Sequence, residues 1–208
     1  MQIFKTIFQK INFWLENILP RPVYFLTSHR ISSRLMEQNR CHNHTLPVCS
    51  QPITNQYAHP VRDFHIGKYT ACYNGCASIA LFNALLCKNC PLPFPQIISR
   101  VEQEGCLSFQ GKFGTSPYKL ERILRSFPVS CSRHKKLSDL EQALEIHDAA
   151  ILFVWNDCHN LAKGAHFFTV RKTSAGYEVY NRLAPMSDTD SLSSIVGNSC
   201  FITGYRIF

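Results

Sequence analysis

Hydrophobic positions along the chain follow a helical pattern in its first half and a strand pattern in its second. Residues 76–87 are apolar almost all round, which predicts a buried central helix. A second helix is predicted near residues 95–104, and it ends at Gly105. Strands are predicted from apolar or β-rich runs at residues 149–155, 166–172, 177–180 and 200–207. Helices followed by strands predict an α+β domain, in which a helical half packs on an antiparallel sheet.

Two more helix starts are predicted from capping residues. Ser116 is a natural N-cap, and Pro117 suits the first position of a helix. Residues 138–141 read Ser-Asp-Leu-Glu, which is a capping box, with Leu137 placed as a hydrophobic staple. The second of these helices is expected to run to about Ile146.

The first 65 residues differ in texture from the rest. Residues 2–19 carry apolar side chains at helical spacing, which predicts an amphipathic helix that Pro20 ends. Residues 20–65 are rich in proline and weakly patterned, with one short strand expected at 23–26, so we expect an irregular linker or wrap. The predicted organisation is therefore an amphipathic helix (1–19), a linker or wrap (20–65) and one domain (66–208). The helix is expected to dock on its own domain; contact with a partner or a membrane surface is the alternative.

Composition and charge exclude several classes of protein. Of the 208 residues, 45% are hydrophobic, which excludes global disorder. No apolar run approaches the roughly 20 residues that span a bilayer. The net charge of +8 is spread along the chain, and no nucleic-acid-binding motif is present, so no nucleic-acid partner is expected. The densest basic run, residues 133–136, is interpreted as a solvated turn.

Ten cysteines are many for a chain of this length. No secretion signal is visible, so a reducing cytoplasm and buried structural thiols are expected. Residues 41–44 with Cys49, and Cys87 with Cys90, have the local spacing of metal ligands. Neither set completes a familiar four-ligand pattern, and we expect neither a metal nor another cofactor.

One cysteine occupies a position that suits a nucleophile. Residues 73–75 read Tyr-Asn-Gly, a turn, and the central helix begins at Cys76 itself. A helix N-terminus is expected to lower the pKa of the thiol, and the Cys76 backbone N–H is free to stabilise an oxyanion. A buried structural cysteine is the alternative interpretation.

A histidine and an asparagine downstream complete the candidate site. His166 begins an apolar strand, and the chain reverses at Gly176 and returns to Asn181. A side-chain amide oxygen of Asn181 that accepts from one ring nitrogen would direct the other nitrogen towards the thiol. A core histidine followed by a turn asparagine is the alternative.

The order Cys, His, Asn resembles that of papain-like cysteine peptidases, in which the cysteine opens a central helix. Residues 73–80, 113–118 and 164–167 are similar to segments of the bacterial peptidases that process bacteriocin leaders and of their stand-alone relatives. The resemblance covers residues 66–208. It implies a papain-like fold with Cys76 as nucleophile, His166 as general base and Asn181 as the orienting amide.

The chain departs from this family at two places. Ala77 stands where many members have glycine after the nucleophile. No glutamine precedes the cysteine by five or six residues, where many members have an oxyanion donor, and Asn74 is the substitute candidate. The expected activity is cleavage of a peptide or amide bond in a peptide or protein substrate, through a thioester. Acyl transfer on the same triad, or peptide binding without catalysis, are the alternatives.

Overall fold

The computed structural model describes residues 27–158, 160, 163–183, 186 and 188–208. The helix predicted over residues 2–19 and the short strand predicted at 23–26 lie outside the described residues. The helices are α1 (Ser33–His44), α2 (Ala71–Asn74), α3 (Cys76–Cys87), α4 (Phe94–Gln103), α5 (Leu120–Leu124), α6 (Leu137–Ala143) and α7 (Leu192–Val196). The strands are β1 (His65–Ile66), β2 (Tyr69–Thr70), β3 (Cys131–His134), β4 (Ala149–Trp155), β5 (Ala165–Thr173), β6 (Gly176–Tyr180) and β7 (Cys200–Ile207).

Five of the strands form one antiparallel sheet in the order β3–β7–β4–β5–β6. Strands β1 and β2 form a separate hairpin directly before α2. This mixture of helices with antiparallel sheets confirms the predicted α+β class. The predicted bounds of α3, β4 and β7 are confirmed, and those of α4, β5 and β6 within one residue.

The sheet is covered on both faces, which explains the unbroken apolar run of β4. Ala149, Ile151 and Phe153 contribute to the core beneath α3 and α4. The residues between them contribute to a second core beneath α6 and α7. Because alternate side chains of a strand point to opposite faces, a strand buried on both sides shows no polar alternation.

The central helix α3 is buried from Ala77 to Leu85. It packs against β5 and β4, and the Thr169 hydroxyl donates to the Ala80 carbonyl across this contact at 2.8 Å. The first residue of α3 is thereby held next to the first residues of β5.

The described part of residues 20–65 packs on the domain and contains a helix that the sequence pattern did not predict. Ile31 and Ile53 belong to the core beneath α3. Helix α1 is anchored largely by polar side chains: Asn39 donates to the Gly67 carbonyl and Asn43 to the His65 carbonyl. The described part of this stretch therefore packs on the domain instead of standing apart from it.

Both predicted capping motifs are used differently in the fold. The Ser116 hydroxyl has no partner among the described residues, and α5 begins only at Leu120. The Ser116 amide donates to the Cys106 carbonyl at 2.8 Å. In the second motif, Ser138 lies inside α6, and Glu141 accepts from the backbone amide of Leu192, the first residue of α7. Helix α6 ends at Ala143, before the predicted Ile146.

The basic run at 133–136 begins within a strand and not a turn. Arg133 and His134 lie in β3, which pairs with β7 at the edge of the sheet. The Arg133 guanidinium lies over the rings of Tyr118 and Tyr205 and donates to the Thr203 hydroxyl. These contacts to neutral groups explain why a charged segment forms a half-buried strand.

Candidate active site

Cys76 is placed by a tight connection between two helices. Helix α2 ends at Asn74, Gly75 follows, and α3 begins at Cys76. A Cβ atom on Gly75 would lie 2.5 Å from the Ala71 carbonyl oxygen, so no larger residue fits there without a shift of the backbone. This glycine sets the position of the half-buried thiol.

Two opposing effects act on the pKa of the Cys76 thiol. Burial raises it, whereas the backbone amides of Phe167, Ala77 and Cys76 itself lower it. Burial dominates, so the pKa lies above its ordinary value. The expectation that the helix start lowers this pKa is therefore wrong for the net shift. The amides do act in the predicted direction, but they do not offset desolvation.

The backbone amide of Phe167 can contact the Cys76 sulfur because strand β6 ends before it reaches this part of β5. Strand β6 pairs with β5 only between Thr169 and Thr173. Earlier on β5, Phe167 does not pair with β6, and its backbone amide contacts the Cys76 sulfur. The residue next to the sulfur on the strand thus directly follows His166.

His166 is buried, and a single hydrogen bond defines the state of its ring. Its Nε2 lies 2.6 Å from the backbone carbonyl oxygen of Asn181. Because a carbonyl only accepts, Nε2 carries the proton of the neutral ring, and Nδ1 is left as a proton acceptor. Burial lowers the pKa of His166; the Asn181 carbonyl raises it, and the charge of Arg182 lowers it further.

Asn181 contacts the ring through its main chain and not through its side chain, so the prediction of a side-chain bond is wrong. Its φ of 58° is left-handed, a conformation that asparagine adopts more readily than most residues. The side-chain oxygen accepts instead from the backbone amide of Gln56 at 3.1 Å.

Gln56 is a site residue that sequence reasoning missed. It is buried, and its side-chain amide donates to the Cys72 carbonyl in α2 at 3.0 Å. It thereby joins the chain at Asn181 to the turn that precedes Cys76. No local signal marks it, because its partner Asn181 lies 125 positions away.

The oxyanion role predicted for Asn74 is also wrong. Its side-chain nitrogen donates to the carbonyls of Ile66 and Gly111 at 3.1 and 3.0 Å. A primary amide has two N–H donors, so none is left for a substrate. Asn74 instead holds the β1–β2 hairpin and the 109–111 turn against α2.

Cys76 lies where two cavities of a cleft meet. One has a volume of about 630 Å³, and the other about 540 Å³. Tyr73, Cys76 and Ala165 line both. The larger cavity is polar and contains Gln56, Asn156, Asp157, Lys163, His166, Arg182 and Ser199. The smaller one is rich in aromatic residues and contains Phe113, Phe153, Trp155 and Phe167. An extended chain laid across Cys76 would contact both.

The residues that have the local spacing of metal ligands, 41–44 with Cys49 and Cys87 with Cys90, do not form a metal site. Over the described ranges, no three His, Cys, Asp or Glu side chains are arranged to hold an ion. All ten cysteines are free thiols.

Comparison with known proteins adds no identification. No protein-family profile matches the chain, and no curated protein is significantly similar to it. No helix in the described part of the chain is long and apolar enough to cross a membrane.

Proposed function

We propose that this protein is a papain-like cysteine hydrolase, similar to the peptidases that process bacteriocin leaders, and that it cleaves a peptide or amide bond. The observation that carries the proposal is the cleft in which Cys76 opens the buried helix and His166 lines the same cavity. The bond of Nε2 to the Asn181 carbonyl makes Nδ1 the proton acceptor of the neutral imidazole, and this supports a role as general base. The ten free thiols support a reducing, cytoplasmic location.

The directions of the two pKa shifts favour an uncharged Cys76 thiol and an uncharged His166 imidazole before substrate binds. Burial raises the pKa of Cys76 and lowers that of His166, so thiol and imidazole are both uncharged at neutral pH. The thiol proton then moves to Nδ1 of His166 as the sulfur attacks the substrate carbonyl carbon. The imidazolium returns this proton to the leaving amine, and a thioester on Cys76 remains. Water, deprotonated by His166, attacks the thioester and releases the acid and the thiol.

The developing oxyanion is assigned to backbone donors. Residues at the start of a helix have amides without helical acceptors, and the Cys76 and Ala77 amides already act on the sulfur. The Cys76 N–H is the donor that we expect to contact the oxyanion. This assignment takes the place of the absent glutamine and of the Asn74 side chain that the sequence suggested.

Alkylation of single cysteines tests the Cys76–His166 pair. Brief iodoacetamide treatment at neutral pH, read by peptide mass mapping, should label Cys76 in the wild type. His166→Ala should slow labelling of Cys76 by about a hundredfold or more, because the general base is lost. The exposed Cys41 of the same molecules is the internal control and should keep its rate. Equal rates at Cys76 with and without His166 would refute the pair.

An activated ester distinguishes the remaining reaction classes. With p-nitrophenyl acetate, a hydrolase should release nitrophenolate in repeated turnovers, and Cys76→Ala should abolish the release. Acceleration by an added amine, with formation of its acetamide, would instead indicate acyl transfer. A thiol that is acylated once and never released would indicate a binding module without catalysis.

A further inference from the structure

Arg182 is a cation in the larger cavity that the reaction above does not use. It follows Asn181 directly and lines the cavity together with Cys76 and His166. Its Nε donates to the Ile195 carbonyl at 3.2 Å. Its Nη2 donates to the Val196 carbonyl at 3.0 Å and to the Ser199 hydroxyl at 2.8 Å. These contacts fix the guanidinium at the end of α7.

Every acceptor of Arg182 is neutral, and its guanidinium also lies over the Phe168 ring, 5.0 Å from the centroid, so no anion compensates its charge within the described chain. Among the described residues, no carboxylate pairs with the guanidinium, and its buried Nη1 has no hydrogen-bond partner. Burial lowers the pKa of Arg182, which is the expected effect of holding a cation away from water. A half-buried cation of this kind favours an anion as its neighbour.

The cavity contains a second basic side chain, Lys163, whose charge is already paired. Lys163 lies 2.8 Å from Asp157, and its side chain is 59% exposed. Arg182 is therefore the residue that makes the cavity attractive to an anion. Its charge also reaches the reacting groups, since it lowers the pKa of His166.

We infer that Arg182 binds a carboxylate of the substrate in the larger cavity, beside the bond that Cys76 attacks. The inference rests on the proposed function. It assigns the substrate class as an acidic peptide, with either a side-chain or a terminal carboxylate on the Arg182 side. The aromatic cavity on the other side of Cys76 takes the apolar part. A bound carboxylate also offsets the charge that Arg182 exerts on His166, so binding makes the imidazole a better base.

A pair of alkylating reagents measures this preference without a known substrate. Iodoacetate carries a carboxylate, and iodoacetamide is its neutral counterpart. The quantity measured is the iodoacetate-to-iodoacetamide rate ratio at Cys76, divided by the same ratio at the exposed Cys41. Arg182→Gln should lower it about tenfold, at the lower end of what a charged cleft does to the local concentration of a counter-ion.

Two further variants separate charge from structure. Arg182→Lys loses the same guanidinium contacts but keeps the charge, so it should retain most of the wild-type ratio. Lys163→Gln leaves the Asp157 carboxylate unpaired, but at an exposed position where solvent screens it, so it should lower the ratio clearly less than Arg182→Gln does. A ratio unaffected by Arg182→Gln, or lowered as much by Lys163→Gln, would overturn the inference.

Protection of the wild-type protein provides a test that needs no variant. N-acetylglycine and N-acetylaspartic α-amide carry a terminal and a side-chain carboxylate, and the one that protects Cys76 better from iodoacetamide identifies the source. N-acetylglycinamide, the neutral control, should not protect. Equal protection by all three compounds, or by none, would overturn the inference. Failure of the proposed function would show differently, as labelling of Cys76 that is independent of His166.

Discussion

A buried carboxyl group outside the cleft provides the sharpest quantitative prediction. Glu102 of α4 is only 2% exposed. Its Oε1 accepts from the Asn39 side chain at 2.6 Å and from the Gly67 amide at 2.8 Å. These bonds tie α1 and the β1–β2 hairpin to α4. Desolvation outweighs both bonds and raises the pKa of Glu102 to about 7.

This shift sets the sign of a stability change with pH. Between the ordinary pKa of 4.5 and the folded value of about 7, the folded protein holds a proton that the unfolded chain has released. The free energy of unfolding therefore falls as pH rises through this window. Each pH unit is worth about 1.4 kcal/mol, so the loss attributable to Glu102 is ~3 kcal/mol.

Glu102→Gln removes the titration and keeps the contacts. The glutamine oxygen can accept both bonds, and the group stays neutral at every pH. We expect the variant to match the wild type near pH 4.5 and to be more stable by up to ~3 kcal/mol at pH 8. Urea unfolding at both pH values measures the difference. Glu145→Gln, at a side chain that is 80% exposed, is the control for removing a carboxylate from the surface. A Glu102→Gln effect that is the same at both pH values would refute the reasoning.

Two more predictions concern the cleft. Asn74→Ala should lower the free energy of unfolding by about 1–3 kcal/mol, because two buried carbonyls lose their donor. Alkylation of Cys76 should stay near the wild-type rate. A tenfold slower alkylation would support an oxyanion role for Asn74. Because burial lowers the pKa of His166, its base form should persist in acid, so that alkylation of Cys76 declines only below pH 6.5 and continues to rise above pH 9. A half-maximal rate at or above pH 6.5 on the acid limb would contradict the burial of this ring.

The elements that the sequence predicts well are those whose side chains are buried among apolar neighbours. Helix α3 and strand β4 are apolar on every side, and their bounds follow from hydrophobicity alone. Helix α1 was missed because Asn39 and Asn43, and not an apolar stripe, attach it to the domain. Strand β3 was missed because its charged side chains are stabilised by aromatic rings that lie far away in sequence.

In the candidate site, too, the residues with local sequence signals are predicted, and the contacts between distant segments are not. A turn followed by a helix start indicates Cys76, and the start of an apolar strand indicates His166, because both signals are local. The contacts made by Gln56 and the bonds that engage Asn74 depend on segments that only the fold brings together. Which atom of Asn181 faces the ring depends on a left-handed backbone that no local motif predicts.

The role of Asn181 yields the last prediction, because the backbone contact reverses the usual test of an orienting asparagine. Asn181→Gly keeps the carbonyl that binds Nε2 and suits the left-handed φ of 58°. It removes the side-chain oxygen that holds the Gln56 amide. We therefore expect a loss of about 1–2 kcal/mol in the free energy of unfolding, with alkylation of Cys76 within about twofold of the wild type. A side chain that oriented the ring would cost roughly ten- to a hundredfold in rate. Urea unfolding and timed iodoacetamide labelling of the same sample measure the loss of stability and the change in rate separately.

Asn181→Asp, which keeps an acceptor for the Gln56 amide, should recover part of the stability. Its rate of Cys76 alkylation should remain near that of the glycine variant. A rate that drops tenfold in Asn181→Gly and recovers in Asn181→Asp would show that the carboxamide, and not the main chain, positions His166.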